Sequence, residues 1–155
     1  MNPAFQNRLN DVALLLIRGM LGVVFIYHGS QKLFGWFGGG GFSGTAAFME
    51  SLGIPLPVLS AFLAGSAEFF GGIVLILGTG TRLAAIPMAF TMLVGIVTVH
   101  NSAFGLQHNG MEYTLTLGVV LVALALLGPG RLTIARLIPT AATARKTSPG
   151  EPATA

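Results

Sequence analysis

Apolar residues dominate four stretches of the chain, and each stretch can form a helix that crosses a lipid bilayer. The stretches lie at about residues 12–34, 58–78, 83–100 and 112–128. Because an α-helix rises about 1.5 Å per residue, roughly 20 residues cover the ~30 Å hydrocarbon layer. The sequence therefore predicts an all-α membrane protein with the architecture of a four-helix transmembrane bundle.

Glycine and proline separate the first two spans and leave room for one short helix between them. Four successive glycines, Gly38–Gly41, make a continued helix costly after the first span. Residues 43–52 mix apolar and polar side chains before Pro55 and Pro57, so we expect a short interfacial helix that caps the bundle. We assign 1–11 to a polar lead-in, 12–138 to the transmembrane domain and 139–155 to a disordered tail.

The composition supports a membrane location and indicates an orientation. The chain is 53% hydrophobic and 8% charged, whereas soluble domains carry roughly 25% charged residues. Basic residues near the span ends collect on one side, so both termini are predicted to be cytoplasmic. The chain lacks a basic run with interleaved aromatics, which favours lipid headgroups over nucleic acid as partners. The basic residues on the cytoplasmic side are Arg8, Arg82, Arg131, Arg136, Arg145 and Lys146, against Lys32 on the other side.

Charged residues inside the first two spans are predicted to face other helices. Arg18, Gly29 and Lys32 share one stripe of the first span, and Glu68 lies near the middle of the second. A charge at membrane depth costs roughly 2.5 to 3.5 kcal/mol on insertion scales, so lipid contact is unfavourable. Our preferred partner for Glu68 is Arg18, in a charge-assisted pair, and Lys32 is the competing partner. Such a pair either fixes helix register or supplies a proton-transfer or ligand-binding carboxylate.

A second polar cluster is expected on the non-cytoplasmic side. His28, Gln31 and Lys32 end the first span, while His100 and Glu112 flank the loop between the last two spans. A quinone needs donors to two carbonyl oxygens in an apolar cleft, and His, Lys, Gln and Tyr beside phenylalanines supply them. A proton exchanged with the outside would pass through His28 or Glu112. The alternative is that these side chains cap helix ends and contact headgroups.

Metal and thiol chemistry have little support. The three histidines, His28, His100 and His108, show no HxxxH or Cys/His spacing, so we predict no metal site. The chain has no cysteine, which excludes a disulfide relay or a thiolate site of its own. Any redox chemistry must therefore use a bound cofactor or a partner subunit.

Two sequence motifs resemble those of the DoxX family of small four-span membrane proteins. HGxxKLFG begins at His28, and ExxGGxxLxLGxxTR begins at Glu68. The resemblance covers roughly residues 14–128 and implies a four-helix transmembrane bundle. Some relatives are assigned as membrane subunits of thiosulfate–quinone oxidoreductases, and others are linked to redox or stress functions. The residues at motif positions are Arg18, His28, Gly29, Lys32, Leu33, Glu68, Gly71, Gly72, Gly78 and Arg82.

Three functions follow from these observations. The favoured one is a redox-associated accessory subunit that interacts with quinone or a soluble oxidoreductase partner. In this hypothesis Glu68 and His28 carry chemistry, and Arg18, Lys32, Gln31, His100 and Glu112 bind the ligand. The alternative is a non-enzymatic assembly or anchoring module. A small-solute carrier is the third hypothesis, and it would require a homo-oligomer because four spans leave little room for a pathway.

Overall fold

The computed structural model of the protein describes residues 2–136, and within them the chain forms five α-helices. The predicted tail at 139–155, with Arg145 and Lys146, lies outside the described residues, as do the last two positions of the predicted domain. The helices are α1 (Pro3–Phe34), α2 (Gly41–Ser51), α3 (Pro57–Leu77), α4 (Thr81–Thr98) and α5 (Glu112–Leu127).

The predicted helical membrane bundle is confirmed. In the described part of the chain, α1, α3 and α4 are long and apolar enough to cross a membrane. Helix α5 is apolar over 16 residues, which correspond to a length of about 24 Å. The predicted short helix between the first two spans is α2, which packs on both α1 and α3.

Helix α1 begins earlier than the apolar pattern indicates. The side chain of Asn2 accepts a hydrogen bond from the backbone N–H of Ala4 (2.9 Å), and Pro3 occupies the first helical turn. Both residues are favourable at a helix start, so the polar lead-in is helical. The 32 residues of α1 span about 48 Å, which exceeds the hydrocarbon thickness, and its polar first turns therefore extend beyond the bilayer core.

The helices form two antiparallel pairs that share one core. Helix α1 packs mainly on α3, α4 packs mainly on α5, and α3 joins the pairs by contacting α4. Helices α1 and α5 make few contacts with each other. Buried apolar side chains from all four long helices fill the centre: Leu21, Phe25, Leu75, Ala85, Met88, Leu117, Leu121 and Leu124.

Candidate functional site

The centre of the candidate site is an ion pair between α1 and α3. Lys32 Nζ donates a hydrogen bond to Glu68 Oε2 at 2.6 Å. The Glu68 side chain is 3% exposed, whereas the Lys32 side chain is 31% exposed. The Glu68 carboxylate is therefore buried, whereas part of the Lys32 side chain lies at the surface of the bundle.

Glycines let α1 and α3 approach closely and fix which residues are level with each other. A Cβ on Gly29 would lie 2.7 Å from Phe69 Cα, and one on Gly65 would lie 2.7 Å from Leu33 Cδ2. Such contacts require residues without a side chain. The antiparallel register places Glu68 level with Gly29, so that Lys32, one turn along α1, can reach the carboxylate.

The preferred pairing of Arg18 with Glu68 is wrong. Arg18 lies eleven residues before Gly29, which is about 16 Å along the helix axis and beyond the reach of its side chain to Glu68. The guanidinium instead donates to the carbonyls of Leu75 (2.7 Å) and Ile76 (2.5 Å), at the end of α3. The partner of Glu68 is Lys32, the competing candidate.

Arg18 connects three parts of the chain at the opposite end of the bundle. Besides the two α3 carbonyls, its guanidinium donates to the carbonyl of Leu132, which follows α5. Arg18 is 1% exposed, so these carbonyls take the place of water around the cation. Asp11 holds the same segment, because its Oδ1 accepts from the backbone N–H of Arg131 at 2.7 Å. These contacts join α1, α3 and the segment after α5, and the ligand-binding role expected of Arg18 stays a prediction.

His28 and Gln31 lie near the ion pair on α1. His28 Nδ1 and Gln31 Oε1 are 3.1 Å apart, and Gln31 Nε2 donates to the carbonyl of Phe37 at 3.4 Å. The Tyr27 ring meets the His28 ring edge-on and stacks on Phe37, with centroids 5.3 and 4.8 Å apart. The structure thus pairs four of the predicted site residues, Glu68 with Lys32 and His28 with Gln31, and both pairs involve the last two turns of α1.

Two predicted site residues instead order the loop between α4 and α5. His100 Nδ1 donates to the carbonyl of Asn109 at 3.0 Å, and Glu112 Oε1 accepts from the backbone N–H of Leu106 at 2.9 Å. Each bond closes a short stretch of this loop. Their binding roles stay predictions, and the geometry shows that both have local partners. His28 approaches α5 through Tyr113, at a centroid distance of 6.4 Å.

An apolar layer lies between the ion pair and the Arg18 end. Met88 of α4 packs over Gly71, one turn from Glu68, where an added Cβ would meet its Sδ at 2.5 Å. Met88 is fully buried and Phe25 is 1% exposed. A side chain at position 71 would therefore have to displace Met88, a contact that depends on the α3–α4 register and that the sequence does not show.

Two apolar clefts lie beside α2 and α3, and neither has Lys32 or Glu68 in its wall; the larger, of about 560 Å³, is lined by Phe42, Phe62 and the start of α3. A cleft of about 270 Å³ lies among α1, α2 and α3, with Leu33, Phe34, Phe42 and other residues in its wall. Ser66 and Phe70, on its α3 side, are each two residues from Glu68, which places them on the opposite face of the helix. Phe34 lines the smaller cleft, whereas Phe25 belongs to the core.

Acidic and imidazole side chains do not converge in the part of the chain that the structure describes. Over residues 2–136, no group of three or more His, Asp or Glu side chains is arranged to hold a metal ion. The site therefore offers hydrogen bonds and charge from its own residues.

Comparison with known proteins gives one family and several bacterial relatives. Residues 13–101 match the DoxX family. CatD of Bacillus subtilis (strain 168), whose name describes it provisionally as an oxidoreductase, is 30% identical over 77% of this chain and 83% of its own length. The inner membrane protein YqjF of Escherichia coli (strain K12) is 32% identical over 86% of this chain and 97% of its own. No solved structure matches the chain.

Proposed function

The chain belongs to the DoxX family of integral membrane proteins, and on that premise we propose that it is a redox-associated accessory subunit that interacts with quinone or with a soluble oxidoreductase partner. The name of CatD supports an oxidoreductase association. The observation that carries the proposal is the ion pair of Lys32 with buried Glu68, in which the Lys32 side chain is 31% exposed.

The ion pair has the hydrogen-bonding capacity that a quinone needs. A lysine ammonium has three N–H donors, and Glu68 uses one of those on Lys32. Because the Lys32 side chain is 31% exposed, the other donors can contact a carbonyl oxygen of a ligand. The carboxylate beneath it holds the ammonium in place and balances its charge. Intramembrane ion pairs of this kind mark ligand or proton sites.

In this proposal the chain binds the ligand, and a partner takes part in the electron transfer. The chain has no cysteine, and its described acidic and imidazole groups form no metal site. We therefore assign electron transfer to the quinone and to a soluble oxidoreductase, and binding and orientation to Lys32 and Glu68. In this proposal His28 is the group that exchanges a proton with the outside.

A non-enzymatic assembly module is the second candidate, and the contacts of Arg18 favour it. Arg18 joins α1 to the end of α3 and to the segment after α5. A chain whose charges only hold helices together would show the same bonds. Only the redox-subunit candidate requires Lys32 and Glu68 for the binding of an added quinone. A binding measurement on variants of these two residues therefore distinguishes the candidates.

Quinone binding can be followed with the native fluorescence of the protein. Trp36 is the single tryptophan, it follows α1 directly, and its ring lies 5.0 Å from that of Phe34. We expect decylubiquinone, added to the protein in lipid nanodiscs, to quench Trp36 saturably. Lys32→Met and Glu68→Gln should abolish the saturable component, whereas Arg82→Gln, an exposed arginine at the opposite end of α3 and α4, should retain it.

The outcome separates the two candidates when stability is measured on the same samples. If the Lys32 and Glu68 variants remain folded by circular dichroism and still bind decylubiquinone as the native protein does, the redox proposal is wrong. The same holds if the native protein shows only unsaturable quenching. In either case the assembly module is the better description, and these variants should then differ from the native protein only in stability and abundance.

A further inference from the structure

The hydrogen bonds of Gln31 determine which nitrogen of His28 carries a proton. The Phe37 carbonyl can only accept, so the amide NH₂ of Gln31 must face it, as its 3.4 Å distance to Nε2 shows. The amide oxygen of Gln31 therefore faces the imidazole, 3.1 Å from Nδ1. An oxygen that can only accept requires a proton on Nδ1. His28 thus donates from Nδ1 to Gln31.

This arrangement leaves an acceptor at the other nitrogen. A neutral imidazole has one N–H and one lone pair, so Nε2 of His28 presents the lone pair. Lys32 lies four residues further along α1, one turn away on the same side of the helix, and its ammonium can only donate. The site therefore pairs an acceptor with a donor. These two contacts use one lone pair of the Gln31 amide oxygen and one N–H of its NH₂ group.

We infer that Gln31 is a positioning residue that fixes His28 as a hydrogen-bond acceptor, so that the site prefers a ring bearing O–H groups, the hydroquinone, over the oxidised quinone. An oxidised quinone carries two carbonyl acceptors, and one of them would face the Nε2 lone pair. A hydroquinone donates one O–H to Nε2 and accepts from Lys32 at its other oxygen. The inference concerns binding alone, and it rests on the proposed function because it takes the same site to hold the ligand.

The loop between α1 and α2 keeps Gln31 in this orientation. A Cβ on Gly39 would lie 2.5 Å from Cβ of Gln31, so the loop backbone packs directly on this residue. Phe37 adopts a left-handed φ of 54°, unusual for a bulky residue, and its ring stacks on Tyr27. These contacts do not depend on the amide group. Gln31→Met should therefore preserve the packing while it removes both side-chain hydrogen bonds.

The tautomer can be read without any ligand. The experiment uses the full chain in nanodiscs with ¹⁵N-labelled histidine, at about pH 8.5, where the imidazole of free histidine is neutral. We expect His28 to carry its proton on Nδ1, like His100, whose Nδ1 donates to a carbonyl and which serves as the internal standard. Gln31→Met should shift His28 toward the other tautomer, Gln31→Glu should restore Nδ1–H, and Gln107→Met should change nothing.

Ligand preference is then measured with decylubiquinone and its two-electron reduced hydroquinone on the same proteins. We expect the native protein and Gln31→Glu to bind the hydroquinone about tenfold more tightly than the quinone, and Gln31→Met to lose this preference. A proton on Nε2 of native His28, or equal preference in the native protein and Gln31→Met, would overturn the inference. If neither form of the ligand binds while Nδ1 carries the proton, the proposed function fails and the hydroquinone preference fails with it.

Discussion

Replacing Lys32 by methionine should destabilise the protein more than replacing Glu68 by glutamine. The two side chains form one ion pair, but their exposures differ tenfold, 31% for Lys32 and 3% for Glu68. Removing the lysine leaves a carboxylate that water cannot reach without a rearrangement. Removing the negative charge leaves an ammonium that is already partly exposed, and the new amide oxygen can still accept from it. The asymmetry follows from burial alone.

The expected magnitudes come from the cost of an unpaired buried charge. Deleting one partner of a buried pair typically costs about 3–5 kcal/mol, so we expect Lys32→Met to lower the free energy of unfolding by about 3 kcal/mol. Glu68→Gln should lower it by about 1 kcal/mol, the scale of one hydrogen bond. The double variant Lys32→Met/Glu68→Leu should lie within about 1 kcal/mol of the native protein, because well-packed apolar residues often replace such pairs at little cost.

The measurement is reversible unfolding in mixed micelles by increasing fractions of sodium dodecyl sulfate, with helix content followed by circular dichroism. Arg82→Gln serves as the control, because Arg82 is exposed and makes one long hydrogen bond, 3.4 Å, to the carbonyl of Leu127. Two results would refute the reasoning. One is a loss for Glu68→Gln as large as that for Lys32→Met, and the other is a double variant Lys32→Met/Glu68→Leu that is as unstable as Lys32→Met alone.

Three further predictions concern other parts of the bundle. Arg18→Met should lower the free energy of unfolding by about 3 kcal/mol, because three carbonyls lose a charged donor that is itself buried, and should expose the segment after α5 to limited proteolysis. Gly29→Ala should cost about 1–3 kcal/mol through overpacking against α3, whereas Gly19→Ala, which has open space around its Cβ, should gain a few tenths. A membrane-impermeant amine reagent should modify Lys32 only when it is added on the side of the membrane where the α1–α2 loop lies. The modification should be faster in Glu68→Gln.

Each of these predictions has an outcome that contradicts it. Unchanged proteolysis of Arg18→Met would show that its bonds do not hold the following segment. Equal effects of alanine at 19 and 29 would remove the steric account of α1–α3 packing. Lys32 and Lys146 are the two lysines of the chain, so mapping the modified residue in vesicles of known sidedness also tests the predicted cytoplasmic termini. Modification of both lysines from the same side would contradict that orientation.

Hydropathy and helix-breaking residues predicted the helices well, because both are local properties. The third and fourth apolar stretches correspond to α4 and α5, and the glycine run after α1 separates it from α2. The start of α1 was missed because a cap at Asn2 and a proline at position 3 are weaker signals than hydropathy. The first residues of α1 are mostly polar, so hydropathy gives no signal for the helix at that point.

The pairing of charges could not be predicted in the same way, because it depends on register between helices. Depth estimates placed Arg18 and Glu68 close enough to meet, yet the contacts of Gly29 with Phe69 place Arg18 at the end of α3. A guanidinium can also be satisfied by carbonyls at a helix end, which sequence patterns do not show. The motif glycines carried the missing signal, since they mark where the two helices touch.

An apolar layer separates the Lys32–Glu68 pair at one end of the bundle from Arg18 at the other, so the charges at the two ends interact weakly. Charges about 16 Å apart interact by only about 1 kcal/mol at an effective dielectric constant of 20. A change of ligand or protonation at Glu68 therefore hardly alters how tightly Arg18 holds the opposite end. Substitutions at the Lys32–Glu68 end can therefore be made while the Arg18 contacts at the other end are left as they are.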